Sequence, residues 1–376
     1  MGHSPMSQGR VADVIVIGAG IIGAACAQGL ARRGLQVLVL DAGLHNATAA
    51  GMGHLLVLDD NPAELALSDY SLQRWREHAP DLPDGCAYRN NGTLWLAANP
   101  EEMAVAHSKY LNLQAQGIAC ERVGASTLRQ REPELREDLE GGLLIKGDGI
   151  LYAPATANWM LDTPNIHQRR ARVTEVDGHR VRLDDGHWLS AEAVVLANGV
   201  QASELCPELP IEPKKGHLLI TDRYPATVTH TLVELGYVTS AHNAKGPSVA
   251  CNIQPRPTGQ LFIGASRQFG TTDPQVEGWM LAKMLKRAAH YMPGLARLNG
   301  IRAWTGFRAA SPDGLPLVGQ HPQRQGLWLA VGHEGLGVTT APGTADLLVA
   351  QLFNETPPLA AQPYLPQRFL GEPVYA

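Results

Sequence analysis

Near its start the chain carries an apolar run that no polar residue interrupts, Val14-Ile15-Val16-Ile17. A continuous β-branched run predicts a strand buried on both faces, as in a parallel sheet. Then the pattern changes. Gly18, Gly20 and Gly23 punctuate the next stretch, and "IIGAACAQGLARR" keeps small residues along one side until Gly34, a natural helix stop. "LQVLVLD" restores the apolar run and closes on Asp41. The pattern predicts a β–α–β unit with G-x-G-x-x-G at its first junction and an acid at the end of its second strand.

Further along, Asn61 and Pro62 read as the cap and first residue of a helix carrying Leu65, Leu72 and Trp75 at helical spacing. "YRNNGTLWLAANPEEMAVAHSKYLNLQAQG" reads as strand, turn and helix, and "ASTLRQREPEL" as a short helix. "GGLLIKGDGILYAPATANWML" reads as a return to the first domain. A β-meander follows, with turns at Asp177-Gly178 and Asp185-Gly186. It ends in the apolar strand Ala193 to Leu196, expected in the same sheet as the first unit. "KKGHLLITDRY" and "PSVACNIQPRPTGQLFIGASRQF" suggest a separate antiparallel sheet, and "DPQVEGWMLAKMLKRAAHYMPGL" an amphipathic helix. The last portion repeats the opening logic of strand, glycine turn and helix. The expected fold is α/β (α+β overall). A Rossmann-like domain is assembled from residues 11–82, 141–212 and 303–376, and an antiparallel-sheet substrate domain is inserted as residues 83–140 and 213–302.

Composition narrows the function. With 376 residues, 44% of them hydrophobic, the chain has ample material for a large core. A net charge of −5 gives no reason to expect nucleic acid. No apolar segment is long enough to predict a transmembrane helix, and "MGHSPMSQGR" lacks the apolar stretch of a secretory signal. Cys26, Cys86, Cys120, Cys206 and Cys251 lie far apart with no C-x-x-C, so no metal site is expected. A reducing, cytoplasmic location is expected, with attachment to the inner-membrane surface as a further option.

The β–α–β unit has the chemistry of a dinucleotide site. One glycine permits the tight turn, one lets backbone approach a pyrophosphate, and one lets helix pack on strand. The helix N-terminus attracts phosphate, and Asp41 suits ribose hydroxyls while repelling the extra phosphate of NADP. These features alone leave NAD, FAD and a simple tight turn open.

Four segments in order, "VIVIGAGIIGAACAQGLARRGLQVLVLDAG", "ATAAGMG", "AVVLANGV" and "GFRAASPDGLPLVG…LWLAVGHEGLGVTTAPGTA", resemble the FAD-dependent D-amino-acid oxidase superfamily. The closer likeness is to the branch holding glycine oxidase, sarcosine oxidase and bacterial amino-acid dehydrogenases. "AAGMGHLLVLDDNPAELAL" looks most like the flavoprotein subunit of heteromeric hydroxyproline dehydrogenases. The resemblance implies non-covalent FAD. It places Gly18, Gly20, Ile22, Gly23, Asp41 and Ala42 at the pyrophosphate and ribose, and Ala50, Gly51 and Met52 beside the isoalloxazine. It also places Val173 at the adenine, Ala197, Asn198 and Gly199 near the dinucleotide, and Gly335, Leu336, Gly337, Val338 and Thr339 under the pyrimidine ring.

The implied reaction is oxidation of an amine or α-amino acid to an imine. Hydroxyproline or a proline-like acid is the favoured substrate, with electrons passing to a partner subunit or quinone. The alternatives are a glycine, sarcosine or D-amino-acid oxidase using O₂, or an electron-relay or scaffold subunit. Arg308 in "GFRAASPDG" matches the branch's carboxylate-pairing arginine, because a guanidinium fork fits a carboxylate. Pairing with a nearby acid such as Asp313 is its structural alternative. His54 and His333 are candidates near the ring, each with a purely structural alternative. Asn252 stands where glycine oxidase-like sequences carry a substrate-facing tyrosine. Gly306 replaces the flavin-linking cysteine of monomeric sarcosine oxidases. Lys215 and Arg256 read as structural charges. The short stretch between "ANWML" and "RARVTEV" suggests a face for a partner subunit or a trimmed loop.

Overall fold

The computed structural model describes residues 10–236 and 246–372. Strand β1, Val14–Ile17, is buried throughout, and the G-x-G-x-x-G turn leads into helix α1, Ile21–Arg32. The unit closes with strand β2, Val37–Asp41, parallel to β1. On its other side β1 pairs in parallel with Ala193–Leu196. The sheet continues through Leu327–Val331 to the antiparallel strand Leu317–Gln320, and beyond β2 to Ile166–Arg170.

The two-residue period of a strand explains why β1 must be apolar on both faces. Val14 and Val16 enter a core shared with α1, Pro62–His78 and Gly337–Leu352. Ile15 and Ile17 enter a second core under the meander Val173–Asp177, Arg180–Leu183 and Trp188–Ser190. Each such side chain contributes about 1.5–3 kcal/mol by burial. Helix Pro62–His78 starts where the sequence placed it, and Pro100–Ala115 is capped in the same way. Asn61 Oδ1 accepts from the Glu64 N–H (2.8 Å) and Asn99 Oδ1 from the Glu102 N–H (2.9 Å).

Among the described residues the second sheet has eight strands. Their order is 300–310, 212–221, 261–267, 248–255, 231–234, 93–97, 141–145 and 120–124. Neighbours are antiparallel except Thr231–Glu234, which runs parallel to Thr93–Ala97. Helix Gly278–Tyr291 covers part of it, burying Met280, Met284, Ala288 and Tyr291.

Two of the expected domain boundaries shift. Gly141–Ile145 pairs with Thr93–Ala97 and Cys120–Gly124 in the large sheet, so the return to the nucleotide domain comes later, at Ala153–Leu161, which packs on α1. Gly300–Ala310 pairs along its whole length with Glu212–Thr221, so the large sheet also holds 303–310. A short apolar strand fits either sheet, and hydrophobicity does not state its partner. The short stretch after "ANWML" still forms the edge strand Ile166–Arg170, largely exposed. No helix among the described residues is long and apolar enough to cross a membrane.

Candidate active site

A continuous cleft of about 650 Å³ is lined by residues of both sheets. Asp41, Gly18 and Val173 line one part, and Asn252, Arg267 and Arg308 another.

The turn after β1 is shaped for close backbone approach. Gly18 has φ +105°, and a methyl group on it would lie 2.6 Å from the Ala197 carbonyl oxygen. Only glycine adopts this conformation without strain. Gly23 sits behind the turn: a Cβ there would lie 1.9 Å from the Gly18 oxygen. The side chain of Asp41 ties the loop together, accepting from the Ala19 N–H (2.7 Å) and the Gly43 N–H (2.6 Å). Thr48 Oγ1 accepts from the Ile21 N–H (2.9 Å), one of the donors left unpaired at the start of α1. Asn198 lines the cleft with its Oδ1 buried and without a partner.

The next stretch of wall is held by tertiary hydrogen bonds. Asn46 caps the turn Ala47–Ala50, whose last carbonyl accepts from Trp304 Nε1 (2.9 Å). Arg256 donates to the Met52 and Leu151 carbonyls and to Gln254, and lies 5.0 Å from the Phe262 ring. Lys215, fully buried, donates to the Gln275 carbonyl (2.7 Å). Both cations are therefore structural, as expected. Opposite, helix Gly337–Leu352 begins at the wall. Trp75 Nε1 donates to the Val338 and Thr339 carbonyls (3.1 and 2.9 Å) and fixes this start.

Each histidine is engaged. His54 Nε2 lies 2.8 Å from Thr93 Oγ1, and burial pushes its pKa down to about 3. His333 Nε2 lies 3.0 Å from Thr344 Oγ1, and burial again pushes its pKa to about 3. Both are neutral at physiological pH.

The cleft also holds a concentration of charge. Arg308 Nη1 donates to the Ser266 carbonyl (3.1 Å), and Gly216 leaves the guanidinium its space. Asp313, the acid considered as its alternative partner, is bonded by Arg368 instead (2.7 Å). Glu334 pairs with Lys214 (2.9 Å). Burial opposes ionisation of Glu334, yet Arg308, Arg267 and Lys214 together hold its pKa near 2. Three cations thus converge on Glu334 along this stretch of wall. Asn252 lines the same cleft with a buried, unpartnered Oδ1.

The dinucleotide end fits FAD: a phosphate-approach turn, an acid at the end of β2, an unsatisfied Asn198 acceptor and a helix N-terminus all line one cleft. Residues 13–351 match the family described as FAD dependent oxidoreductase, DAO. The chain belongs to this family. It is an FAD-dependent oxidoreductase. It is 30% identical to glycine oxidase from Geobacillus kaustophilus over 90% of this chain and 92% of that protein. It is 25% identical to an opine oxidase subunit from Rhizobium meliloti over 90% and 93%. The crystal structure of the Geobacillus kaustophilus glycine oxidase superposes with a TM-score of 0.85 over 95% of this chain and 98% of that one, at 26% identity. L-proline dehydrogenase from P. horikoshii shares the fold at a TM-score of 0.86, 20% identity, covering 97% and 100%.

In this flavoenzyme, most residues anticipated at the cofactor do line the cleft: Gly18, Gly20, Ile22, Asp41, Ala42, Ala50, Gly51 and Met52 from the first portion, Val173 and Ala197–Gly199 from the middle, Gly335–Val338 from the last. Two do not. Gly23 lies behind the turn, and Thr339 is buried beneath the wall, where its Oγ1 donates to the His54 carbonyl (3.1 Å) and accepts from the Leu56 N–H (3.3 Å). Arg308, His54, His333 and Asn252 all line the cleft. Lys214, Arg267 and Glu334 escape sequence reasoning, since nothing in their local sequence marks them. One further cluster outside the cleft brings Cys206, Glu208 and His321 together, their ligand atoms all within 4.8 Å. His321 Nδ1 accepts from the Gln323 N–H (3.1 Å), so the ring proton sits on Nε2, facing Glu208 (3.2 Å), and Arg324 also binds Glu208. The ion pair in this cluster is Arg324–Glu208 (2.9 Å), with the neutral His321 ring beside it.

Proposed function

We propose that the enzyme oxidises an amino acid or secondary-amine acid at its CH–N bond. The chemistry that bound FAD supplies is acceptance of a hydride from the substrate α-carbon, which leaves an imine for water to hydrolyse. The chain's own part is to bind and orient. Gly18, Gly20, Asp41 and Asn198 would hold the dinucleotide, and the N-terminal end of helix Gly337–Leu352 would favour negative charge on the reduced flavin. Arg308 fixes the substrate carboxylate, and Asn252 Oδ1 accepts a hydrogen bond from the substrate. His54 and His333, both neutral, hold the wall rather than transfer protons.

The observation that carries this reading is the placement of Arg308 on the cleft wall among Lys214 and Arg267, with Asp313 bonded elsewhere. Within it, we favour a cyclic secondary-amine acid such as D-hydroxyproline or proline, with electrons leaving to a partner subunit or quinone. The likeness of "AAGMGHLLVLDDNPAELAL" supports that choice, and so does the similarity to an opine oxidase component that is itself named as a subunit. A second reading, oxidation of glycine, sarcosine or a D-amino acid with O₂ as acceptor, is supported by the 30% identity to a glycine oxidase. Peroxide release during turnover separates the two. Replacing Arg308 with Leu should lower kcat/KM for the amino acid by roughly 30-fold, about 2 kcal/mol, mainly through KM. An unchanged KM would remove Arg308 from substrate binding.

A further inference from the structure

The cleft has a second charged region that neither the turn nor Arg308 uses. Glu64 lines it from the first turn of helix Pro62–His78, close to Asp60 and Leu58. By position Glu64 is the third residue of that helix, and its N–H is capped by Asn61. A glutamate there commonly reaches back to the cap's own N–H. This one does not: its Oε2 is buried and has no partner. The nearest cation, Lys109, is committed elsewhere, paired with Asp59 and 3.9 Å from Asp60. Burial first, then Asp60 and Glu334, and more weakly Asp59, push the Glu64 carboxyl up to about 7, against the pull of Lys109. Glu64, Glu334 and Arg308 all line the same cleft. A buried carboxyl oxygen without a donor costs roughly 1–3 kcal/mol, which a ligand's N–H or O–H would offset.

We propose that Glu64 is a substrate-recognition residue that receives a second hydrogen-bond donor, carried by the substrate away from the carboxylate held by Arg308. The cleft would then select amino acids bearing a hydroxyl or amine on the side chain or ring over their unsubstituted counterparts. This inference rests on the amino-acid reading above.

The test is calorimetric binding of non-oxidisable carboxylates to the FAD-loaded enzyme: ω-hydroxy and ω-amino alkanoates of increasing length, each against the plain alkanoate. At the matching length the donor-bearing member should bind about ten-fold more tightly. Glu64→Leu should erase that preference with FAD content unchanged. Glu64→Gln, nearly isosteric, should keep the hydroxyl preference and lose most of the amine preference, so it decides the matter if Glu64→Leu fails to fold. No preference at any length, a preference that survives in Glu64→Leu, or loss of FAD from a folded Glu64→Leu would each overturn the proposal. Arg308→Leu should weaken every carboxylate in the series alike. Failure of that result strikes the amino-acid reading, whereas failure of the Glu64 results strikes only this inference.

Discussion

Gly306 sets how closely the large sheet approaches the Ala47–Ala50 turn on the cleft wall. A Cβ there would lie 2.4 Å from the Ala50 Cβ, and neighbouring Trp304 bonds the Ala50 carbonyl. Gly306→Ala should therefore push the Ala47–Ala50 turn away, at a cost of about 1–3 kcal/mol. The variant should show a lower Tm and a lower flavin-to-protein absorbance ratio after dialysis, and wild-type values for both would contradict the close approach. At this scale the sequence is unevenly legible. Gly306 stands out in it only as a missing cysteine, and its steric task depends on a contact with a distant turn. Glu64 reads only as a residue in a helix's first turn, because nothing local says that its carboxyl faces a cleft. Arg308 stands out through its motif, whereas Lys214, Arg267 and Glu334 become a charge cluster only when the strands and the glycine loop converge.

Among elements, the long helix Pro62–His78 matters because it fixes another helix. Trp75, fully buried, donates to two carbonyls at the start of Gly337–Leu352, where the cleft wall turns. Trp75→Phe keeps most of the apolar volume and deletes the donor, leaving those carbonyls to their helix partners alone. The expected loss is about 0.5–1.5 kcal/mol, read as a lower Tm together with weaker FAD retention. A lower Tm with unchanged FAD affinity would separate packing from the wall. Elements with a strong local signal are legible: β1, α1, β2, the capped helix at Pro62, the meander turns and the strand Ala193–Leu196. Gly141–Ile145 goes to the other sheet than expected, because a short apolar strand carries no mark of which sheet it will join.

For the molecule as a whole, buried ionisable groups set opposing pH dependences. His54 and His333 have folded pKa values near 3, below the ordinary 6.5, so their contribution is present at neutral pH and is lost as pH falls from about 6.5 toward 3. Asp148 is the reverse. It is fully buried, and burial raises its pKa to about 8 from 3.8, against the pull of hydrogen bonds from Thr93 and the Val57 N–H and of Arg76. The folded state holds a proton that the unfolded state has released, so stability falls as pH rises from about 4 through 8. Above pH 6.5 the histidines are neutral in both states and add no further pH dependence, whereas Asp148 and Glu64 still do. Asp148→Asn should therefore lose less Tm than the wild type between pH 6.5 and 8.5, measured with excess FAD. Parallel curves would show that Asp148 is ionised in the fold. The assembly of the nucleotide domain from separated segments is legible, because the last portion repeats the strand, glycine turn and helix of the first and the middle one ends in an apolar strand followed by small residues. The eight-strand order of the second sheet is not, since it depends on pairings between distant strands.

If this flavoenzyme takes its electrons from an amino acid anchored at Arg308, the flavin itself should report it. Anaerobic mixing of the FAD-loaded protein with D- and L-amino acids, cyclic imino acids and N-methyl amino acids, followed by flavin absorbance, is the most direct test. The predicted result is bleaching of the flavin by at least one of them, with Arg308→Leu needing far more of the same compound for the same rate. A flavin that stays oxidised with every member of the panel, or an Arg308→Leu variant that is reduced as readily as the wild type, would contradict it.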